Sequence, residues 1–410
     1  MKVKQLRIRN FRNIREAVFT PDERVNFLVG ANGQGKTSVL EALGYLSSLR
    51  SFREAKTASV MQYGCRESEV ACTLEAEEGG STLSAELRVF FEEHDSKASK
   101  VAFINNKVFK SSTQYFLQRF GSFELGFHAI VFNPSDHEIV RGDPALRRVY
   151  LNRVLTAERA EYLKIFQKYQ RTLEQRNLLL KDRSQQRSPL FLSFTEQLCQ
   201  YGVYLTIQRL NWIRRLNQIL PERLFQIAPH QAVLRVGYLS QWLPEIENLS
   251  FNNNGLGPVH FTGQASLPSL ELLEQAFWAR VSAYEAAEWK TGHSLVGPHR
   301  DDWMFFLGEQ PLKGHGSQGE VRSALLALKL AELELFRNET GHRPLFLLDD
   351  FSSELDLERR NYLMRFLEET DLQTFVSTTE GRYSVGKRYW VRNGVVEEEG
   401  SHDYRTQSVE

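Results

Sequence analysis

The chain is short of cysteine, of long apolar runs and of net charge. Its three cysteines, Cys65, Cys72 and Cys199, stand at no metal-binding spacing. An odd, sparse count suits a reducing compartment and predicts no zinc site. No stretch reaches the roughly 18 apolar residues that a membrane span needs. Met1-Lys2-Val3-Lys4-Gln5-Leu6-Arg7 lacks the apolar core of a signal peptide. These absences predict a soluble cytoplasmic protein with no membrane partner. Lys plus Arg and Asp plus Glu both number 51, so overall charge gives no reason to expect a nucleic-acid coat. No low-complexity tract or internal repeat is visible. What is present is length: 410 residues, enough for two or three domains or lobes.

The most specific local pattern is Gly30-Ala31-Asn32-Gly33-Gln34-Gly35-Lys36-Thr37, which fits G-x-x-x-x-G-K-[ST], the phosphate-binding loop of P-loop nucleotide hydrolases. Glycines let backbone N–H groups wrap a triphosphate closely. Lys36 is placed to reach the β- and γ-phosphates and the Thr37 hydroxyl to ligate Mg²⁺, while Ser38 completes the nucleotide-binding loop. Val25–Val29 before the loop reads as a strand. Val39, Leu40, Ala42, Leu43, Leu46 and Leu49 after it read as a helix whose N-terminus faces the phosphates.

Leu345-Phe346-Leu347-Leu348-Asp349-Asp350 reads as a Walker B strand, buried and delivering acids at its C-terminal end, where open α/β sheets bind ligands. Asp349 is assigned to the Mg²⁺ shell and Asp350 to the attacking water. Gly316-Ser317-Gln318-Gly319-Glu320 begins a helix whose apolar stripe is Val321, Leu325, Leu328, Ala331 and Leu335, with Arg322, Lys329 and Glu332 off it. Ser317 and Glu320 form a capping box. The same residues fit an ABC signature, whose Ser hydroxyl, Gly N–H groups and helix N-terminus grip the γ-phosphate on an opposite subunit. Ser353-Glu354-Leu355-Asp356 reads as a D-loop. Thr374–Thr379 reads as a strand that ends, at Thr378 or Thr379, where ABC transporters carry a switch histidine.

Residues 141–223 hold 16 Lys/Arg against 7 Asp/Glu, an excess of nine positive charges that the rest of the chain balances. Tyr162, Phe166, Tyr169, Leu173 and Leu180, then Phe191 through Ile219, repeat near 3.5 residues around the polar break Lys181–Pro189. This predicts an antiparallel helical hairpin with arms of roughly 35–45 Å at ~1.5 Å per residue. Its charge predicts a phosphate-backbone footprint. Asn252–Pro258 reads as an exposed loop.

Taken together, these residues resemble the RecF family of DNA replication and repair ATPases. The resemblance spans nearly the whole chain. It rests on Asn10-Phe11-Arg12-Asn13, the phosphate loop, Ser51-Phe52-Arg53, Arg147-Arg148, Gln175–Lys181, Gly297-Pro298-His299-Arg300-Asp301-Asp302, Gly316–Gly319 and Ala327–Glu332. Glu320 stands where that family more often has Gln, and Phe351-Ser352 where it has an aliphatic pair. The resemblance implies an α/β, ABC-type P-loop ATPase head of the SMC class with an inserted helical lid. The head comprises residues 1–140 and 293–410, and the mainly helical lid 141–292. It further implies weak ATP hydrolysis coupled to an ATP-dependent homodimer. Double-stranded DNA and single-strand/duplex junctions are the implied ligands, and recombinase loading at gaps and stalled forks with RecO and RecR the implied role. It places Arg12 and Arg53 toward nucleotide or DNA. The alternative is an ABC ATPase subunit of a transporter or other non-DNA machine. A third reading is a module that uses ATP only as a dimer clamp. The long separation of Lys36 from Ser317 and the basic segment between them weigh against the transporter.

Overall fold

The computed structural model describes residues 1–53, 56–78, 81–95, 97–119, 126–186, 188–243, 259–260, 267–350, 355–380 and 386–399. Chain contacts divide it into two compact units, Met1–Ser135 with Phe336–Glu410, and Asp136–Leu335. The second therefore begins before residue 141 and runs beyond 292. It does so because a strand at 302–307 pairs within it. The expected loop at Asn252–Pro258, and Ser353-Glu354 of the expected D-loop, lie outside the described residues.

The first unit contains two sheets. One is antiparallel, in the order β2 (Ile14–Phe19), β1 (Lys2–Phe11), β4 (Glu67–Glu78), β5 (Ser81–His94), β6 (Lys97–Ile104), β7 (Lys107–Phe109). The other runs β16 (Val395–Glu398), β15 (Lys387–Arg392), β3 (Val25–Val29), β14 (Thr374–Thr378), β13 (Leu345–Leu348), β8 (Ala129–Phe132), parallel except at the β16 edge. β3, β8, β13 and β14 are buried along their whole length, as the unbroken apolar runs of a covered parallel sheet require. Helix α1 (Lys36–Ser48) supplies much of the shared core through Val39, Leu40, Leu43 and Leu46, and α2 (Ser112–Arg119) adds Tyr115.

The second unit is built on α3 (Pro144–Glu158), α4 (Ala160–Leu179) and α5 (Pro189–Ile227), with α6 (Leu270–Thr291) against α5. It also holds a sheet in the order β10 (Val259–His260), β9 (Leu234–Leu239), β11 (Asp302–Leu307), β12 (Gln310–Pro311). Helices α4 and α5 pack side by side. Arg176 on α4 donates to Thr195 on α5, and Arg209 on α5 donates to the Tyr162 hydroxyl on α4, so the two run antiparallel. The arms are unequal, however. α4 has 20 residues and α5 has 39, roughly 30 and 58 Å. Ser188 caps α5 by accepting from the Phe191 N–H, and Pro189 occupies its first turn, where the missing donor does no harm.

Part of the positive charge of the segment is internal. Arg147 is bidentate to Asp302 at 2.7 and 2.8 Å, and Arg176 reaches Glu288 at 2.7 Å. Arg209 donates to the Pro298 carbonyl at 2.6 Å and to Asn152 at 2.9 Å. All three are at most 2 % exposed. Arg215 pairs with Glu158, and Arg223 with Glu334. Among the described residues of 141–223, the exposed bases (Arg141, Lys164, Lys168, Arg171, Lys181, Arg183) are matched by as many exposed acids (Asp143, Glu161, Glu174, Asp182, Glu196, Glu222), while Arg148, Arg153, Arg159, Arg214, Arg215 and Arg223 are half-buried. The excess at the surface therefore rests on these half-buried arginines. The three buried arginines knit the unit together.

The Gly297–Asp302 block is the knot. Besides the bonds to Asp302 and Pro298, Asp301 accepts from the Tyr238 hydroxyl at 2.8 Å and Trp242 Nε1 at 3.2 Å. His299 accepts the Tyr169 hydroxyl at Nδ1 (2.6 Å) and donates from Nε2 to the Ser294 carbonyl (3.0 Å), a neutral tautomer. Burial pushes Asp301 up to about 6 and His299 down to about 4. The two act oppositely on stability. Between pH 4 and 6 the folded Asp301 binds more protons than the unfolded one, so its contribution falls as pH rises. The folded His299 binds fewer, so its contribution rises with pH up to the unfolded value near 6.5. Asp301→Asn removes one arm of this balance. The stability of the variant relative to wild type should climb by up to roughly 3 kcal/mol between pH 4 and 6, read by urea unfolding at each pH. A pH-independent difference would show that Asp301 is not held protonated.

Helix α7 (Gln318–Thr340) corrects another expectation. Lys329 and Glu332, off the apolar stripe, are buried. Ala324 through Ala331 are buried on every side, so this helix has no solvent face there. Lys329 Nζ lies 3.4 Å from Asp136 and 3.9 Å from Glu332, which also accepts the Tyr150 hydroxyl. Among the described residues no helix is long and apolar enough to cross a membrane, and no cluster of His, Cys, Asp and Glu could hold a metal. All three cysteines are free thiols.

Candidate nucleotide site

The ends of β3, β13 and β14 converge on the loop between β3 and α1. Gly35 has φ 116°, and a Cβ there would lie 3.2 Å from the Asn13 side chain. Gly30 has no room for a Cβ because the Val391 carbonyl lies 2.3 Å from where it would be. Gly30 is thus demanded by close approach and Gly35 by its φ. Asn13 braces the loop by donating to the Gly33 carbonyl (3.0 Å) and accepting from Ser38 Oγ (2.8 Å). Gln34 faces away from the phosphate cradle. Its side-chain oxygen accepts from the Asn393 N–H at 2.6 Å and its carbonyl from Gly394 at 3.0 Å. Ala31, Asn32 and Gly33 are exposed on the loop's outer turn.

Lys36 is buried and donates to the carbonyls of Gly30 (2.6 Å) and Ala31 (2.9 Å). Burial lowers its pKa, against the pull of Asp350 and Asp349. Thr37 Oγ1 donates to Asp349 Oδ1 at 2.8 Å across 312 positions of sequence. Ser377 Oγ donates to the same oxygen at 2.8 Å and accepts the Asp350 N–H at 2.8 Å. Burial raises the Asp349 pKa, and the two hydroxyls oppose it. Asp350 holds a left-handed φ of 51°, rare for a residue with a side chain, at the point where β13 ends.

These groups line one cavity of about 930 Å³. Its other walls come from Arg12, Phe52, Arg53, Met61, Tyr63 and the Asn133–Ser135 loop after β8. Arg12 and Arg53 therefore do face the site. Ser377 and Asn133 belong to no motif in the sequence, and Asn13 enters only through the Asn10–Asn13 block. The sequence pattern at the end of β14 points to Thr378 or Thr379. Thr378 is buried with its hydroxyl accepting the Glu380 N–H at 3.0 Å, whereas Ser377 makes the contacts to both acids. Alternation along β14 was the available signal.

The oxygen set of Thr37, Ser377 and Asp349 is hard and compact, which fits Mg²⁺ and not a soft metal. In the second unit Ser317 and Glu320 form the capping box in both directions. The Glu320 N–H donates to Ser317 Oγ at 3.2 Å, and the Ser317 N–H donates to the Glu320 carboxylate at 2.7 Å. That N–H lowers the Glu320 pKa. The Glu that replaces Gln is thus used by the cap. Gln318 and Gly319 open α7 beside it, and Arg141 donates to the Gly316 carbonyl at 3.2 Å. In the first unit Asp356 caps α8 (Leu357–Glu369) by accepting from Arg359 N.

The model of the RecF/RecN/SMC N-terminal domain matches residues 2–392. The DNA replication and repair protein RecF of Trichlorobacter lovleyi is 34% identical over 381 residues, covering 93% of this chain and 92% of its own. The protein of the same description from Geotalea daltonii is 31% identical over 379 residues, 92% and 93% of the two chains. A solved structure of the recombination mediator protein RecF with ATP, in the RecFOR pathway, superposes with a TM-score of 0.79 at 27% identity over 97% of each chain. An Smc head domain from Pyrococcus furiosus, bound to the C-terminal domain of ScpA, shares the fold with a TM-score of 0.54 at 13% identity, over 97% of this chain and 95% of that one.

Proposed function

The chain belongs to the RecF/RecN/SMC N-terminal domain family, and on that premise we propose that it is a DNA-repair ATPase whose ATP-bound homodimer holds duplex DNA or single-strand/duplex junctions. The observation that carries the ATPase reading is the meeting of Thr37, Asp349 and Ser377 beside Lys36 in one cavity. Relatives named for replication and repair, and the ATP-bound structure of one of them, support it.

Lys36 gives up two backbone carbonyls and turns to the β- and γ-phosphates, which replace them as acceptors. Backbone N–H groups of Gly33, Gly35 and Thr37 and the α1 N-terminus meet the remaining oxygens. Thr37 and Asp349, with Ser377 behind, would hold Mg²⁺, which shields phosphate charge. Asp350, its backbone pinned by Ser377, orients water for attack on the γ-phosphorus. Phosphate leaves and ADP remains. Arg12 and Arg53 supply positive charge on the opposite wall. Ser317, Gln318, Gly319 and Glu320 close the site of a second copy in trans, which makes hydrolysis conditional on dimerisation. RecO and RecR are the proposed partners in recombinase loading.

Asp350→Asn tests the assignment. It keeps shape and removes the charge that orients water. Turnover should fall about 100-fold while ATP-promoted dimers, seen by light scattering, live longer and retain a labelled duplex. DNA affinity should fall with salt by a log–log slope of about 0.9 per phosphate contacted. Normal turnover in this variant would remove Asp350 from the mechanism. An ATP-bound dimer with no DNA affinity would favour the transporter-type alternative.

A further inference from the structure

Glu41 is a carboxylate with no exposed surface, in the second turn of α1 between Leu40 and Ala42, where packing alone would select an aliphatic residue. A buried charge is tolerated only when it is paired and hydrogen-bonded. The partners here are unequal. Arg12 is bidentate, through Nε at 2.9 Å and Nη2 at 2.6 Å, and its Nη1 donates to the Ser59 carbonyl. Arg12 also holds φ 56°, and its backbone N–H donates to the Val60 carbonyl at 2.8 Å. Ser51 Oγ donates to Glu41 as well. Arg53 comes last. Its Nη1 stands 3.6 Å from Glu41, outside hydrogen-bond range, and its side chain is 47% exposed. One anion thus serves two guanidinium groups, and among the described residues its hydrogen bonds come from Arg12 and Ser51. Arg53 is the guanidinium that stands off from it. It lines the cavity, and its charge is felt at Asp349.

We propose that Glu41 is a positioning residue of the nucleotide site, which locks Arg12 into the wall and holds Arg53 loosely enough for a nucleotide phosphate to draw it away. This rests on the ATP reading above. α1 begins at Lys36, so the helix that carries the phosphate-binding lysine also sets the opposite arginine wall. The triphosphate finds one cation fixed and one free to move.

The test is a coupling measurement on the full chain with a fluorescent ATP analogue as probe. Glu41→Gln and Arg12→Gln should each weaken binding by roughly tenfold, and the double variant by no more than either single, because each acts through the other. A merely structural pair would instead have its loss of binding repaired along with its stability. In the double variant two amides can still bond each other, so the unfolding midpoint should recover while binding does not. Arg53→Gln should weaken binding and leave the midpoint at the wild-type value. Multiplied losses in the double variant, near-wild-type binding by a folded Glu41→Gln protein, or a midpoint lowered as much by Arg53→Gln as by Arg12→Gln would each overturn the proposal. Absence of probe binding by the wild-type chain would overturn the ATP reading itself, and the proposal with it.

Discussion

Lys36→Ala should reduce ATP turnover by about 100-fold or more and abolish ATP-promoted dimerisation. The side chain now satisfies two carbonyls of its own loop, Gly30 and Ala31, and among the described residues is the cation within the cradle itself. Its loss removes the charge that meets the triphosphate and leaves those carbonyls facing phosphate oxygens. The variant should still fold, because α1 is anchored by its apolar face and by Glu41, and a thermal melt within a few degrees of wild type checks this. Turnover and dimerisation at wild-type levels would remove the phosphate-loop assignment.

Ser317→Arg should leave ATP binding by the monomer intact and block the ATP-driven dimer. Ser317 is exposed at the start of α7, and a long side chain there fills the space that an opposing γ-phosphate needs. Loss of the cap should cost about 0.5–2 kcal/mol, so folding is measured first. The decisive sample mixes Lys36→Ala with Ser317→Arg chains. Each mixed dimer then has one site with both lesions and one intact site. Since neither variant forms the ATP-driven dimer with itself, the dimers that form are mixed, and recovery should approach about half of wild-type turnover. Demonstrated mixed dimers without recovery would count against sharing in trans. A folded, monomeric Ser317→Arg protein with normal turnover would leave Gly316–Glu320 as a capped helix start and nothing more.

The phosphate loop and the acidic strand were legible because each is local. A few residues at fixed spacing dictate a turn, a buried strand and a helix start, and the structure places Lys36, Thr37, Asp349 and Asp350 around one cavity. Ser377 and Glu41 were not legible, since their roles come from partners far away in sequence. Asp349 is 28 positions from the first, and Arg12 is 29 from the second. The charge count was incomplete for a related reason. Composition cannot separate an arginine that faces solvent from one buried in the packing of its own unit, and Arg147, Arg176 and Arg209 are of the second kind. The seam of the hairpin was visible in Tyr162, Tyr169, Leu198 and Leu205, all buried. Its arm lengths were not, because α5 continues through Pro221 to Ile227 as packing outweighs local propensity.

The parallel sheet interleaves strands from distant parts of the chain. β3 lies between β14 and β15, and β8 pairs only with β13. During synthesis, the loop that will cradle phosphate emerges among the first forty residues and then waits for its neighbours. At ~5–20 residues per second, roughly 20–70 s pass before β15 leaves the ribosome. Until β14 emerges β3 has neither flanking strand, and its second neighbour, β15, comes later still. A ribosome stalled anywhere before residue 374 would present a phosphate-loop sequence that cannot yet bind nucleotide. Competence for ATP therefore arrives last, with the C-terminal strands, and a truncated product is silent at the site rather than partly active.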